Sequence, residues 1–354
     1  MLGIDPRAAR AAWTVFLLAL LLAIAYAVRE TLVVFMAALL FAYLLTPLVG
    51  LVERFTPRQV SPRIALAIVY LILVGAIVAL SISLGSQLVE EANSLAEKLP
   101  NLMTNRSWID RIPLPYWLEP VRARMIETLQ AEFENGSKEI LPFVGRLGTG
   151  IVSGAKYILY IVLIPILAFF FLKDAGEIRE AVVASVEESR RPVLDNILED
   201  INILLGEYMR ALVLLAMSSF IANSLFLGIS GAPYAILLAV GASLGEFIPV
   251  VGPAAATILI LLVTGLSGYT HVVLYLIFWI VYRIFQDYVL SPYLMGRGVK
   301  LNPLMVLFGV LAGEQIAGII GMFFSVPIIA TLRVIFVRLR RARARDLIAP
   351  RVQT

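Results

Sequence analysis

An all-α, polytopic membrane protein is predicted by three features of this 354-residue chain. They are an apolar excess, its grouping into windows of span length, and two apolar stretches in the second half broken by glycine and proline. Hydrophobic residues make up 60% and charged residues 15%, whereas soluble domains run near about 45–50% and about 25%. The apolar residues gather in windows of about twenty, the length of helix that crosses roughly 30 Å of hydrocarbon. Backbone in lipid must satisfy its own hydrogen bonds, and windows of this length do so as helices. The reading is about six full spans plus two re-entrant hairpins in an inverted repeat, roughly eight membrane segments in all.

The first spans are Ala11–Val28, Thr31–Val52 and Ile64–Gly85, which make residues 1–85 a three-span scaffold. Arg7, Arg10 and the small residues Ala25-Tyr26-Ala27 imitate a cleaved signal sequence. The run is nevertheless as long as a span and another follows directly after Arg29-Glu30, so it reads as a retained first span. Arg54, Arg58 and Arg63 place the second link in the cytoplasm with the N-terminus, by the positive-inside rule. Residues 86–147 are polar and by parity extracytoplasmic. Val121, Met125, Leu129 and Phe133 recur every four residues there, which predicts an amphipathic helix after a turn at Pro113, Pro115 and Trp117. A helix on the bundle rim is preferred to a separate binding domain. Residues 148–200 hold a fourth span, Gly148–Leu172, with the close-packing motif Gly150-x-x-x-Gly154. A charged segment follows from Lys173 to Asp200. Its apolar residues Ile178, Val182, Val186, Val193 and Ile197 predict a cytoplasmic surface helix.

Residues 201–337 read as the transport unit. After a fifth span, Ile201–Ile229, the apolar stretch 233–266 contains Gly241, Gly245, Glu246, Pro249, Gly252 and Pro253. Proline removes a helix hydrogen bond, and broken backbone at membrane depth persists only where protein or a wet cavity satisfies it. A re-entrant hairpin fits better than one straight helix. The pattern recurs with a sixth span, His271–Leu290, a polar turn, Ser291–Leu301, and a second interrupted stretch opened by Pro303. Both interrupted stretches carry Gly-x-x-x-Gly-Glu, as Gly241, Gly245, Glu246 and as Gly309, Gly313, Glu314, with Gly252 and Gly318 following. Paired interruptions in opposed repeats point to a solute site near the midplane. The competing explanation is two kinked hairpins whose glycines only pack. The tail, 338–354, is basic: from Arg333 onward seven arginines face Asp346 alone, so the net charge of +4 is a tail property. That cluster suits a cytoplasmic anchor on anionic lipid better than nucleic acid.

A charge inside a membrane helix costs roughly 2.5 to 3.5 kcal/mol on insertion scales, so each needs a partner or a role. Arg283 and Asp287 lie four apart and Glu207 and Arg210 three apart, spacings that predict ion pairs. Lys156 is placed to snorkel, and His271 to anchor a helix start. Glu246 and Glu314 have no local basic partner and sit at the predicted breaks. Either glutamate would bind a cation or exchange a proton; the plainer alternatives are capping a helix start or pairing with Arg210 or Arg283 across the bundle. The candidate solute or ion pathway is Glu246, Glu314, Asp287, Asn302, Pro249, Gly252, Gly313 and Gln286. Asn223 and Ser291 are further polar residues of the same segments. The absence of cysteine and the lone His271 remove thiolate sites and most zinc chemistry. Neither a phosphate loop nor H-E-x-x-H occurs, so no enzyme activity, resident cofactor or ATP-driven pumping is expected, while coupling to protons or sodium is.

Several motifs resemble the autoinducer-2 exporter (AI-2E) family of bacterial and archaeal membrane proteins. They are Phe41-Ala42-Tyr43-Leu44-Leu45-Thr46-Pro47-Leu48, Phe169-Phe170-Phe171-Leu172-Lys173-Asp174 and Ile248-Pro249-Val250-Val251-Gly252-Pro253. The closing run is the most specific: Asp287-Tyr288-Val289-Leu290-Ser291-Pro292, Gly296, Leu301-Asn302-Pro303-Leu304, then Gly318, Gly321 and Pro327. The resemblance implies a multi-pass secondary transporter of the inner membrane with both termini cytoplasmic, exporting autoinducer-2 in some members and exchanging sodium for protons in others. It also implies homo-oligomers, with the pentamer as the pattern. The chain departs from the family at Met209-Arg210, where relatives have Gly-Gln, and at Gly313-Glu314, where they have a glycine pair. The expected function is therefore transport of a small polar solute, with a sodium-proton antiporter as the alternative. A reading of another class is a non-transporting scaffold whose outer segment binds a partner.

Overall fold

The computed structural model describes residues 6–55, 62–104, 155–295 and 301–348. The expected helix at Val121–Phe133 and the Gly150/Gly154 motif lie outside the described residues, within which no strand occurs. The helices are α1 (Pro6–Ala27), α2 (Arg29–Phe55), α3 (Pro62–Thr104), α4 (Ala155–Lys173), α5 (Ala175–Ala184), α6 (Arg191–Ile229), α7 (Ala235–Gly245), α8 (Val251–Leu266), α9 (Val272–Phe285), α10 (Ser291–Met295) and α11 (Pro303–Ile348). A π-helical turn, Gln286–Leu290, joins α9 to α10.

Among the described residues four helical segments are long and apolar enough to cross a membrane: Arg29–Val52, Glu188–Ile229, Val272–Leu294 and Pro303–Ala342. The two limbs of α3, Ile64–Leu80 and Ile82–Lys98, meet at 42° and make a fifth if they form one broken span. The chain is thus an all-helical membrane protein with four or five such segments. The apolar parts of α1 and α4, Ala12–Ala27 and Val162–Lys173, are shorter.

Two boundaries differ from those read in the sequence. α3 does not stop where its apolar run ends at Gly85 but continues to Thr104. Its extension is held by burial, because Ala92 and Leu95 are almost fully enclosed. Leu95 packs with Leu227, Leu238, Ile260 and Tyr275, a core shared by α6, α7, α8 and α9. Glu91 on the same extension accepts a hydrogen bond from the Leu237 amide at 2.9 Å. A carboxylate there satisfies one of the free donors at the start of α7 and faces the positive end of its dipole. The second difference is the charged segment after α4, which is two elements rather than one surface helix. α5 ends at Ala184, a turn follows at Glu188–Arg190, and Pro192 stands in the first turn of α6, a position where its missing N–H costs nothing. Arg179 of α5 closes the corner, donating to Asp195 at 2.8 Å and Glu199 at 2.7 Å.

At 39 residues α6 is the axis of the bundle. It is about 58 Å long at 1.5 Å per residue, so it overruns a bilayer core. Leu204, Leu205, Tyr208, Met209 and Leu212 pack on Leu40 of α2 and on Phe324, Val326 and Ala330 of α11. Arg338 near the end of α11 makes a two-armed contact with Asp200, one arm at 2.7 Å.

Both glycine-broken stretches fold back on themselves. A Cβ on Gly252 would strike the carbonyl of Gly245, and one on Gly245 would lie 2.8 Å from the carbonyl oxygen of Gly252. Only glycine permits backbones to approach so closely. In α11 the helix is interrupted at Ala317 and Gly318, with Gly318 at φ 60. Gly313 and Gly321 then meet backbone to backbone, and Gly309 faces Ile329 further down the same pair of limbs. The return glycine of the second stretch is therefore Gly321, while Gly318, read from the sequence as the counterpart of Gly252, turns the chain.

Candidate functional site

The tip between α7 and α8 is built on strained backbone. Val250 takes φ 67, ψ −57, and the Val251 amide donates to the Pro249 carbonyl at 2.7 Å. This is the γ-turn of positive φ, rare and costly for a β-branched residue, and such strain concentrates at functional positions. Gly252 closes the turn by donating to Ile248 at 3.0 Å. The turn leaves Glu246, the residue after α7, buried, with only 9% of its surface exposed.

α9 and its π turn supply the partners of Glu246. Tyr275, Trp279, Tyr282 and Gln286 follow at helical spacing and line one small cavity with Glu246, Ser219 and Asn223. The cavity has room for about one water molecule. Gln286 is buried and donates to Glu246 Oε2 at 2.7 Å. The same carboxylate oxygen lies 3.7 Å from Arg283 Nη1, and Arg283 Nε donates to Asp287 at 3.0 Å. One guanidinium thus stands between two carboxylates, one buried and one nearly half exposed. Around them, Tyr275 donates to Asn223 at 3.0 Å, Asn223 to the Ser219 carbonyl at 2.9 Å, and Tyr282 to Ser218 at 3.2 Å. Gln286 Oε1 is enclosed without a hydrogen-bond partner, an unspent acceptor beside the cavity.

Neutralising Glu246, by a proton or a bound cation, would release Arg283 to Asp287 alone. A π turn adds one residue to a helical repeat and is frequent at functional positions; here it carries Gln286 and Asp287.

Of the residues singled out in the sequence, the structure brings together Glu246, Gln286 and Asp287, with Pro249 and Gly252 shaping the turn beside them. Glu314 is exposed on α11, and Gly313 serves the backbone contact with Gly321. Asn302 is exposed and its Oδ1 accepts from the Leu304 amide at 2.9 Å, so it caps α11 with Pro303 at the first helical position. Asn302→Ala should therefore cost about 1 kcal/mol of stability, read as a lowered melting temperature, and leave flux per folded molecule unchanged. The Arg283–Asp287 pair forms as its spacing predicts. The Glu207–Arg210 pair does not: Arg210 donates to the Gly206 carbonyl at 3.1 Å, and Glu207 Oε2 is buried without a hydrogen bond. Ser219, Thr257, Tyr275 and Tyr282 line the same cavity and carry no charge to mark them in the sequence, although positions 275, 279, 282 and 286 form a periodic stripe.

A family model described as AI-2E family transporter matches residues 15–341. The chain belongs to the AI-2E transporter family. YueF of Bacillus subtilis, named as a candidate transport protein, is 23% identical over 361 aligned residues, covering 94% of this chain and 95% of YueF. YrrI of the same organism, named likewise, is 28% identical over 205 residues, 57% of this chain and 58% of YrrI. YhhT of Escherichia coli K12 is 24% identical over 90% of this chain and 87% of its own. The match reaches past every residue of the Glu246 cluster, so that cluster lies within the family's shared portion.

Proposed function

We propose that this AI-2E family member is a secondary transporter that moves a small polar solute across the inner membrane of a bacterium or archaeon, as the autoinducer-2 exporters it resembles do. The observation that carries the proposal is the buried Glu246, held between Gln286 and Arg283 at the break between two apolar helices. α7 and α8 hold 11 and 16 residues, each short of the roughly twenty a span requires. They read as a re-entrant hairpin, and the limbs of α11 around Gly313 and Gly321 as its opposed counterpart. Phe247, next to Glu246, lies 6.0 Å from Phe323 between ring centroids, which brings the first tip against the second pair of limbs. Opposed broken helices meeting at depth suit alternating access, with protons or sodium as the coupling ion. The arginines after Arg333 fit a cytoplasmic C-terminus and parity a cytoplasmic N-terminus. Assembly as a homo-oligomer, the pentamer being the expected form, belongs to the same proposal.

A second reading, sodium-proton antiport, draws on the oxygens of Ser219, Thr257, Asn223 and Gln286 beside the carboxylate, in a cavity sized for one water or one dehydrated cation. Proteoliposomes distinguish the two. Flux is measured under a sodium gradient, a proton gradient, and either gradient with a preloaded small sugar-like polar signal. Gradient-driven solute movement is the expected result. Sodium-proton exchange that ignores the solute would replace export by antiport, and silence in every arm would overturn transport in favour of a scaffold whose segment 86–147 binds a partner.

A further inference from the structure

A second cavity, of about 460 Å³, lies between α2, α3, α4 and α6, separate from the Glu246 cluster in its lining. Its volume falls in the range of small-ligand sites, roughly 300–1,000 Å³. Two sequence motifs that the transport reading leaves unused converge there: Ala42, Tyr43 and Thr46 from the early motif, and Phe171, Leu172 and Lys173 from the middle one. Its walls are of two kinds. Leu39, Ala42 and Leu66 give an apolar face, while the Lys173 ammonium, the Asn202 amide and the Tyr43 phenol supply donors.

Lys173 is the last residue of α4, where free carbonyls and the negative end of the dipole favour a cation. Asp174 lies 3.3 Å from its ammonium and engages one of three donors. The neighbouring charges answer one another, Arg179 of α5 with Asp195 and Glu199 and Arg338 with Asp200, so Lys173 is the charged residue of the lining. An occupant that matches both walls is apolar along one part and carries an acceptor-rich anion at the other. An ammonium with neutral donors around it suits phosphate oxygens, which accept several charge-assisted hydrogen bonds at once.

We propose that this cavity binds a phosphate-bearing amphiphile, its phosphate at Lys173 and its chain along Leu39, Ala42 and Leu66. The bilayer around the protein supplies such a molecule as phospholipid. The site stands independently of which solute is transported.

The test is native mass spectrometry of the full chain in detergent, titrated separately with phosphatidylglycerol, with diacylglycerol of the same chains, and with inorganic phosphate. The wild type should retain one phosphatidylglycerol and neither of the others. Lys173→Gln should reduce that occupancy about fivefold or more, by loss of the charge. Gly50→Leu should do the same from the apolar side, since Gly50 lines the cavity and a Cβ there meets nothing within 4 Å; an unchanged melting temperature shows that the fold is kept. Equal phosphatidylglycerol retention by the wild type and both variants overturns the site. Diacylglycerol retained as well as phosphatidylglycerol removes the role of the phosphate, and inorganic phosphate retained alone removes that of the apolar wall.

Discussion

Glu246→Gln is expected to lower gradient-driven solute flux by about tenfold or more while the protein still folds and inserts, because the substitution keeps the shape and removes the group that exchanges charge. A glutamine at 246 still has an oxygen for the Gln286 amide, now at 2.7 Å from the carboxylate. Arg283 keeps Asp287 at 3.0 Å, so no buried charge is orphaned. The melting temperature should therefore move little. Arg283→Gln is the contrasting case: it leaves the Glu246 carboxylate enclosed without its cation, and loss of one partner of a buried pair costs about 3 kcal/mol. That variant should lose stability and flux together. Glu314→Gln should change flux less than either, since Glu314 is exposed on α11 and outside the cluster. Normal flux in both Glu246→Gln and Glu314→Gln, measured per inserted molecule in proteoliposomes, would remove the glutamates from the coupling step.

Much of this site was legible because membrane sequence is sparing with charge. Glu246 stands out as a carboxylate without a local base, and Arg283 with Asp287 as a pair at helical spacing. What could not be read was which base Glu246 would find. Arg210 and Arg283 were equal candidates from spacing alone, and only the packing of α9 beside the α7–α8 tip selects Arg283. Gln286 reaches the carboxylate through a π turn, which a strict 3.6-residue repeat does not anticipate. Each Gly-x-x-x-Gly-Glu lies beside a close backbone contact, Gly245 with Gly252 and Gly313 with Gly321. The second return glycine is Gly321, eight positions after Gly313, where Gly252 follows Gly245 by seven; Gly318, five positions after Gly313, makes the turn instead. The boundary at Gly85 misled for a different reason. An apolar window registers lipid contact, whereas Ala92 and Leu95 are buried against other helices on a segment otherwise polar.

Gly252→Ala is expected to be among the most damaging alanine substitutions at the described glycines, and it separates the two meanings of a glycine in this membrane fold. The added methyl would overlap the Gly245 carbonyl, a backbone group that cannot rotate aside as a side chain would. Relief requires α7 and α8 to part, and their separation would disturb the γ-turn at Val250 and the enclosure of Glu246 together. Overpacking of this kind costs about 1–3 kcal/mol even where side chains can adjust, so a rigid contact should reach the upper end or beyond. Gly321→Ala should behave alike, because its Cβ would meet the Gly313 carbonyl at the second fold-back. Gly241→Ala is the control: it belongs to the same Gly-x-x-x-Gly-Glu motif, yet a Cβ there meets nothing within 4 Å, and alanine is the better helix former by about 0.8–1.0 kcal/mol. Thermal unfolding in detergent should thus rank Gly241→Ala at or above the wild type and both return-glycine variants well below it. Equal tolerance of Gly252→Ala and Gly241→Ala would mean that the limbs do not meet at their tips, and Glu246 would then lose the enclosure on which its role in coupling depends.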